Sequence, residues 1–339
     1  MKLWLRIKNL EFSSWFIVWR ELLKSFEQIP EVEVWKQGPR SFPHPDTKDW
    51  IEMWWGDPEF WEWSQYEVKL RIGLCLSEHQ SFFTDNPSTM IQNINQCDFL
   101  LCPSYAAMQA YLEAPIEIPI YLMPFGVDEA EFRYYSRDFE EDTFKFLHLG
   151  VTQFRKGSWL IIDAWLKAFK KEEPVSLTIA TSKNTPMFSQ LQKEFGEHPQ
   201  ITFTKRKVAS STEHYYQHHV LISPHLAEGF ALCIPEAMAT GMPCIVSRCS
   251  APREYFQKEF GWWIEMSELY SPVNQCKSGI SGLWRLPDAD SLAEKMRYAY
   301  EHRRECLEKG QVASDFVLAN LTWAHSANKA LEIIKGQLK

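Results

Sequence analysis

The chain has 339 residues, of which 45% are hydrophobic, 14% aromatic and 24% charged. This balance is typical of a globular protein with enough chain for two cores, and it excludes a disordered or fibrous protein. The net charge of −8 argues against a protein-wide positive field for nucleic acid or an anionic membrane.

The acidic charge lies mainly in the first part of the chain. Residues 1–127 carry 10 basic and 17 acidic side chains, whereas residues 128–339 carry 26 and 27. Residues 72–127 contain no Lys or Arg, so a surface formed by them lacks the cations that usually neutralise phosphates. A nucleic-acid partner is therefore disfavoured, although a local basic patch stays open.

The eight cysteines form no CxxC pair and are followed by no His pair at zinc-finger spacing. We therefore expect free thiols in a reducing compartment. No stretch approaches the roughly 20 apolar residues that a membrane span needs, and the N-terminus lacks the pattern of a secretion signal. The sequence predicts a cytoplasmic protein without an integral membrane segment.

In chain order, the first part of the sequence alternates strand and helix patterns. The predicted elements are a strand over 2–8, a helix over 15–26, strands over 69–76 and 98–102, a helix over 105–113 and a strand over 118–123. Strands that are separated by helices indicate a parallel sheet covered by helices.

An acidic stretch over 129–142 interrupts the apolar pattern, and a second series of elements follows it. Its predicted strands are 144–149, 175–181, 200–204, 219–223 and 243–247, and its predicted helices are 157–170, 186–195, 212–218, 235–240, 289–307 and 323–337. The predicted fold class is therefore α/β, with two Rossmann-like doubly wound domains and a cleft between them.

The strongest motif extends from Glu228 to Gly241 (EGFALCIPEAMATG), where Glu228 and Glu236 are separated by seven residues. Main-chain amides of the turn and the positive end of the following helix can bind a diphosphate without basic side chains. Carboxylates in these places can accept hydrogen bonds from sugar hydroxyls. A plain turn, with Glu236 favouring a helix N-terminus, is the alternative interpretation.

A second motif, LHLGVTQFRKG over 147–157, is a strand that ends in glycine and leads to Arg155 and Lys156. Together the two motifs resemble those of retaining glycosyltransferases of family 4, which have the GT-B fold and an E-x7-E signature. A weaker similarity covers 71–78, 98–104 and 120–128.

The resemblance implies roles for residues of this sequence. Glu228 would contact the transferred sugar, Glu236 the nucleotide ribose, and Lys156 the leaving diphosphate. Val151 stands where the family often has arginine, and Arg155 is the candidate replacement. The implied catalytic residues are Glu228, Lys156, Arg155 and His79, and the implied donor-binding residues are Gly229, Phe230, Ala231, Leu232, Glu236, Gly150 and Arg206.

The resemblance also implies an activity and a separate role for each domain. Residues 1–127 would form the acceptor domain, 128–310 the donor domain, and a closing helix in 311–339 would pack back on the first domain. The implied reaction is metal-independent transfer, with retention, of a hexose-type sugar from a UDP- or GDP-sugar to a hydroxyl of a glycan, lipid or small molecule. The nucleotide sugar is a co-substrate, and no cofactor is expected.

Two other functions stay open at this point. One is a glycosyltransferase that acts on a modified nucleic-acid base, against which the acidic first domain argues. The other is a non-catalytic protein that binds a sugar nucleotide, because Val151 and the glycine-free loop over 9–14 depart from the family pattern.

Three further groups of residues could bind a ligand or could serve the fold. The tryptophans and acids between 50 and 63 suit carbohydrate stacking or core packing. His214 and His218, with His219 beside them, are expected on an exposed helix face rather than at a metal. Asp288 and Asp290 follow a proline at a helix start, where capping is the expected role.

Overall fold

Two six-stranded parallel sheets form the framework of the protein, each in its own compact unit. The structure, a computed structural model, describes residues 1–7, 14–35, 47–78, 89–205, 212–270 and 284–339. The first unit contains the described residues of 1–126 together with 322–339, and the second contains 127–270 and 284–321.

The first unit contains six strands and four helices in the described ranges. They are β1 Lys2–Ile7, α1 Ser14–Glu27, β2 Glu33–Val34, β3 Trp50–Trp55, β4 Leu70–Leu74, α2 Thr89–Ile94, β5 Phe99–Cys102, α3 Tyr105–Leu112, β6 Ile120–Leu122 and α10 Trp323–Gln337. The strand order is β2-β1-β3-β4-β5-β6, and all neighbouring strands are parallel. Helix α10 packs against α1.

Strand β3 is absent from the predicted elements because its sequence, WIEMWW, gave no alternating pattern. Every residue in it is buried, as is usual for a central parallel strand that is covered on both faces. Trp54 and Trp61 belong to a core cluster of this unit. These tryptophans therefore serve the core, and the carbohydrate-stacking interpretation does not apply to them.

A buried ion pair explains how an acid fits into β3. Glu52 is fully buried and accepts hydrogen bonds from Arg6 and, at 2.8 Å, from the Ser64 hydroxyl. The Arg6 guanidinium lies between the rings of Trp4 and Trp54, 4.3 and 4.2 Å from their centroids. The carboxylate is thus neutralised by a cation that aromatic rings shield from water.

The second unit repeats the plan with strand order β12-β11-β10-β7-β8-β9, again parallel throughout. Its strands are β7 Phe144–Leu149, β8 Val175–Thr181, β9 Ile201–Lys205, β10 Val220–Ser223, β11 Cys244–Ser247 and β12 Gly261–Ile264, with an antiparallel pair β13 Met266–Tyr270 and β14 Trp284–Pro287. Its helices are α4 Ser158–Ala168, α5 Pro186–Phe195, α6 Thr212–Gln217, α7 Cys233–Ala239, α8 Ala289–Glu301 and α9 Arg303–Asn320.

The predicted α/β class with two Rossmann-like units is confirmed, and most predicted elements lie within two residues of the observed ones. The single helix expected over 289–307 is wrong, because the helix breaks at His302, which has non-helical φ −119° and ψ 54°. Asp288 accepts a 2.6 Å hydrogen bond from the Ser291 amide and caps α8, as predicted. Asp290 pairs with Lys167 at the surface.

Candidate functional site

The candidate site lies where β7, β10 and β11 end, at one edge of the second sheet. These three strands are neighbours, and in a parallel sheet their carboxyl ends meet on the same side. The loops that follow them carry residues 150–157, 224–232 and 248–251. Both sequence motifs therefore meet in the second unit.

The two motifs are joined through the carboxylate of Glu228. Lys156 Nζ donates a hydrogen bond to Glu228 Oε1, and Arg155 Nη1 lies 3.1 Å from the same oxygen. Only 6% of the Glu228 side chain is exposed, against 8% for Arg155 and 20% for Lys156. The structure therefore brings together three of the four predicted catalytic residues.

Charge at this cluster decides the protonation state of Glu228. Burial by itself would raise the pKa of this carboxyl, but Arg155 and then Lys156 outweigh burial and lower the pKa well below its usual range. Glu228 is therefore an ionised hydrogen-bond acceptor at neutral pH. It is suited to hold hydroxyl groups and unsuited to donate a proton.

Arg155 also holds the loop that carries Glu228. Its Nη1 donates to the carbonyl of Ala227 at 2.7 Å, and its own carbonyl accepts from the Leu226 amide at 2.8 Å. The guanidinium thus connects the β7 loop to the β10 loop through backbone as well as through the carboxylate.

The glycines of the β7 loop fix how closely the two loops approach. Gly157 has φ 68°, and a Cβ there would lie 1.9 Å from the carbonyl oxygen of Pro224. At Gly150 the nearest atoms to an added Cβ are Cδ and Cε of Lys156, at 3.9 Å. Gly157 therefore sets the loop spacing, whereas Gly150 borders the stem of Lys156.

The bend over 229–232 leads into α7. Ala231 has φ 67°, and Tyr255 donates to the Phe230 carbonyl at 2.6 Å. Within the described ranges, no residue accepts a hydrogen bond from the amides of Ala231 or Leu232. Such amides ahead of a helix are suited to bind an anion.

Glu228 and Glu236 differ in their surroundings. Glu236 lies on α7 and is 9% exposed, and its Oε2 accepts a 2.5 Å hydrogen bond from the hydroxyl of Tyr215. The backbone of Glu228 is held by the β11 loop, since its amide donates to Ser250 Oγ at 2.9 Å and its carbonyl accepts from the Ala251 amide at 3.3 Å.

Two predicted site residues, His79 and Arg206, lie outside the described residues. Sequence reasoning missed Tyr215 and Ser250, because both act through contacts with residues more than twenty positions away. It also missed His225, which is fully buried three residues before Glu228 and has its Nδ1 3.2 Å from Ser223 Oγ. Burial lowers the pKa of His225 to about 4, so this ring is neutral at pH 7.

The histidines near α6 are placed differently from the prediction. His218 and His219 are buried rather than on an exposed helix face. His218 bonds the His214 carbonyl at 2.7 Å and Thr178 Oγ1 at 2.8 Å, so its ring serves the core. In the part of the chain that the structure describes, no three His, Cys, Asp or Glu side chains are grouped so as to hold a metal ion.

Residues 143–302 match a protein-family model described as "Glycosyl transferases group 1". No curated protein sequence matches the chain. Of the helices within the described ranges, none is both long and apolar enough to cross a membrane.

Solved glycosyltransferase structures resemble the chain at low identity. HepE from Anabaena, in complex with UDP and glucose, gives a TM-score of 0.70 at 13% identity, with 98% of this chain and 99% of that chain covered. Sucrose-phosphate synthase from Thermosynechococcus elongatus gives 0.62 at 16% identity, covering 80% of this chain and 69% of the synthase. TarM from S. aureus gives 0.66 at 15% identity over 85% of this chain, which spans only 55% of TarM.

The family match in the second unit and the two Rossmann-like units define the class of protein. The chain is a glycosyltransferase with the GT-B type of fold. The predicted enzyme class is thereby confirmed, whereas the cytoplasmic location stays a prediction.

Proposed function

We propose that this chain is a retaining, metal-independent glycosyltransferase of family 4 that uses the E-x7-E residues Glu228 and Glu236. It would transfer a hexose-type sugar from a UDP- or GDP-sugar to a hydroxyl acceptor. The observation that carries the proposal is the ion pair of Lys156 with Glu228, because it places the cation of one motif at the acid of the other. Two separate clusters would have argued against a shared donor site.

Neighbouring structures support the substrate class. HepE was solved with UDP and glucose, and TarM with UDP and alpha-GlcNAc-glycerol. A uridine diphosphate sugar is therefore the first donor to test, and a carbohydrate or glycerol-like hydroxyl the first acceptor.

The reaction requires stabilisation of a leaving diphosphate. When the bond between sugar and phosphate breaks, negative charge grows on the phosphate oxygens, and donors fixed nearby lower the barrier. In this proposal Lys156 and the amides of Ala231 and Leu232 are those donors. Lys156 would exchange its hydrogen bond to Glu228 for one to phosphate, while Arg155 continues to neutralise the carboxylate.

The two carboxylates would orient the donor. Glu228 would accept hydrogen bonds from hydroxyls of the transferred sugar, and Glu236 from the ribose. Two cations beside Glu228 lower its nucleophilicity, so it is poorly suited to form a covalent glycosyl intermediate. The proposal therefore favours attack by the acceptor on the same face as the leaving group and assigns no nucleophile.

The remaining roles also belong to the proposal. The first unit would bind the acceptor, His79 would bind the transferred sugar, and Arg206 would contribute to binding of the donor. Sugar transfer to a modified nucleic-acid base has no specific support in the described residues.

The test incubates the protein with UDP-, GDP- and ADP-sugars and measures release of the nucleoside diphosphate with and without hydroxyl acceptors. Glu228→Ala and Lys156→Ala should each lower the rate at least about tenfold, equivalent to roughly 1.4 kcal/mol of transition-state stabilisation. Lys167→Ala is the matched control, because Lys167 is exposed and pairs with Asp290 at the surface.

The outcomes separate the possibilities. Turnover that is lost in both site variants and kept in Lys167→Ala supports the proposal. Unchanged turnover in both site variants refutes the site. Nucleotide binding without turnover of any donor would instead indicate a non-catalytic binding protein.

A further inference from the structure

The hydroxyl of Tyr215 is hydrogen-bonded to a carboxylate of the proposed donor site. Tyr215 is fully buried on α6, and its hydroxyl donates to Glu236 Oε2 on α7 at 2.5 Å. Another rotamer of Glu236 would break this hydrogen bond between two buried side chains. The bond therefore favours one rotamer of Glu236 over the others.

A buried arginine fixes both ends of this bond. Arg137 donates through Nη2 to the carbonyl of Tyr215 at 2.6 Å, and through Nη1 to the carbonyl of Thr240, the residue after α7, at 2.5 Å. It also donates to Thr240 Oγ1 at 2.8 Å and to the His218 carbonyl at 2.8 Å. One guanidinium thus holds α6 and α7 in a fixed relation.

This arrangement is more specific than a buried tyrosine needs. A carbonyl oxygen would satisfy the hydroxyl, and the edge of Phe132, 5.7 Å away, already packs against the ring. The acceptor is instead a carboxylate in the first turn of the helix that follows the 229–232 bend. Helix α6 has only six residues, so it depends on tertiary contacts such as those of Arg137 to hold its place.

We propose that Tyr215 is a positioning residue for Glu236, which it holds in the orientation that binds the two hydroxyls of the donor ribose. The inference rests on the proposed function, since it takes Glu236 as the ribose ligand. A fixed carboxylate binds a ribose without first losing rotamer freedom. Tyr215 therefore contributes to nucleotide affinity and to the preference for ribose over 2′-deoxyribose.

The test measures binding of UDP and GDP and of their 2′-deoxy forms by titration calorimetry, for the whole chain. Tyr215→Phe removes only the hydroxyl. It should weaken binding of UDP or GDP, whichever the parent protein binds more tightly, about five- to tenfold. It should reduce the preference for ribose and raise the donor KM more than it lowers kcat. A purely structural role would lower the melting temperature without changing the preference.

Tyr216→Phe is the matched control, because the hydroxyl of Tyr216 bonds the Glu131 carbonyl and the Arg133 amide and does not contact Glu236. Glu236→Gln should show the same loss as Tyr215→Phe or a larger one. In the double variant the two losses should not add, since both act on one interaction.

The experiment distinguishes two failures. If Glu236→Gln leaves ribonucleotide affinity unchanged, the assignment of the ribose ligand in the proposed function is wrong. If Glu236→Gln weakens binding while Tyr215→Phe behaves like Tyr216→Phe, only the role of Tyr215 is refuted. Additive losses in the double variant would also refute it.

Discussion

Gly157 and Pro224 approach each other so closely that only a residue without a side chain fits between the loops. A Cβ on Gly157 would lie 1.9 Å from the Pro224 carbonyl oxygen, and the φ of 68° is itself one that glycine favours. Lys156 directly precedes this contact and Glu228 follows Pro224 by four residues. The spacing of the ion pair thus depends on a glycine that touches neither charge.

Gly157→Ala should separate the two loops. We expect the free energy of unfolding to fall by at least about 2 kcal/mol, from strain and overlap, and kcat/KM for the donor to fall more than tenfold. Urea unfolding and donor turnover measure the two effects. Gly336→Ala is the control, since an added Cβ there meets no atom within 4 Å. A fully active, stable Gly157→Ala would contradict this account.

Ser250 holds Glu228 by a hydrogen bond, although the backbone of Ser250 itself is strained. Its φ of 48° and ψ of −149° lie near a region that glycine alone adopts readily, at a cost of about 1–3 kcal/mol to other residues. Its Oγ accepts a hydrogen bond from the Glu228 amide, and this bond contributes about 1 kcal/mol to the free energy of unfolding. Strain and hydrogen bond therefore act in opposite directions on stability.

Substitutions at Ser250 separate these two effects. Ser250→Ala keeps the strain and loses the bond, so it should be the less stable variant, whereas Ser250→Gly should be as stable as the parent or more so. Both should lower kcat, because Glu228 is less firmly held. Urea unfolding gives the stabilities, and a Ser250→Gly protein less stable than Ser250→Ala would show that the strain is absent.

His219 makes stability depend on pH. Its Nδ1 accepts from the Lys145 amide at 2.8 Å, and its Nε2 donates to the Asp138 carbonyl at 3.0 Å, so only the neutral ring fits. Burial lowers the pKa of His219 from 6.5 to about 4, although Glu141 opposes the shift. Between these values the unfolded chain binds the proton and the native protein does not, so stability falls as pH falls.

His219→Gln should remove this contribution. Between about pH 7.5 and 5.5 the parent should lose about 1 kcal/mol more of its unfolding free energy than the variant does. Urea unfolding at both pH values measures the difference. Equal losses in the two proteins would mean that native His219 binds the proton as readily as His219 of the unfolded chain.

The parts of the molecule that follow periodic patterns were predicted well from the sequence. Strand β8 and helix α10 have the predicted bounds, since their patterns match a buried strand and an amphipathic helix. Strand β3 was missed because WIEMWW has no alternating pattern and contains a glutamate, which signals exposure unless its buried partner Arg6 is known. The break at His302 has no local signal, because neither proline nor glycine lies there.

The candidate site divides in the same way into predictable and unpredictable residues. Glu228 and Lys156 meet because parallel topology brings the ends of β7 and β10 together, which a sequence can indicate. Tyr215 and Ser250 could not be found in this way, since a hydroxyl in a helix or loop has no pattern that names its distant partner. The residues of the proposed donor site were thus more predictable than the residues that hold them in place.

A substitution at Arg155 can separate the effect of its charge from the effect of its contacts. Arg155 Nη1 contacts both the Ala227 carbonyl and Glu228 Oε1, and a lysine side chain is one bond shorter, so its ammonium does not reach the same point. Arg155→Lys keeps the charge, so we expect nucleoside diphosphate affinity to stay within about threefold. The free energy of unfolding should fall by about 1–2 kcal/mol, and kcat should fall as the Glu228 loop loosens.

Arg304→Lys provides the control, because Arg304 is exposed and pairs with Glu308 at the surface. Affinity, stability and turnover should all stay unchanged in this variant. Calorimetric titration with UDP and GDP, urea unfolding and donor turnover are measured on each variant. A large loss of diphosphate affinity at unchanged stability would mean that Arg155 serves the leaving group directly. The guanidinium would then replace the cation that Val151 does not supply, rather than hold the loop.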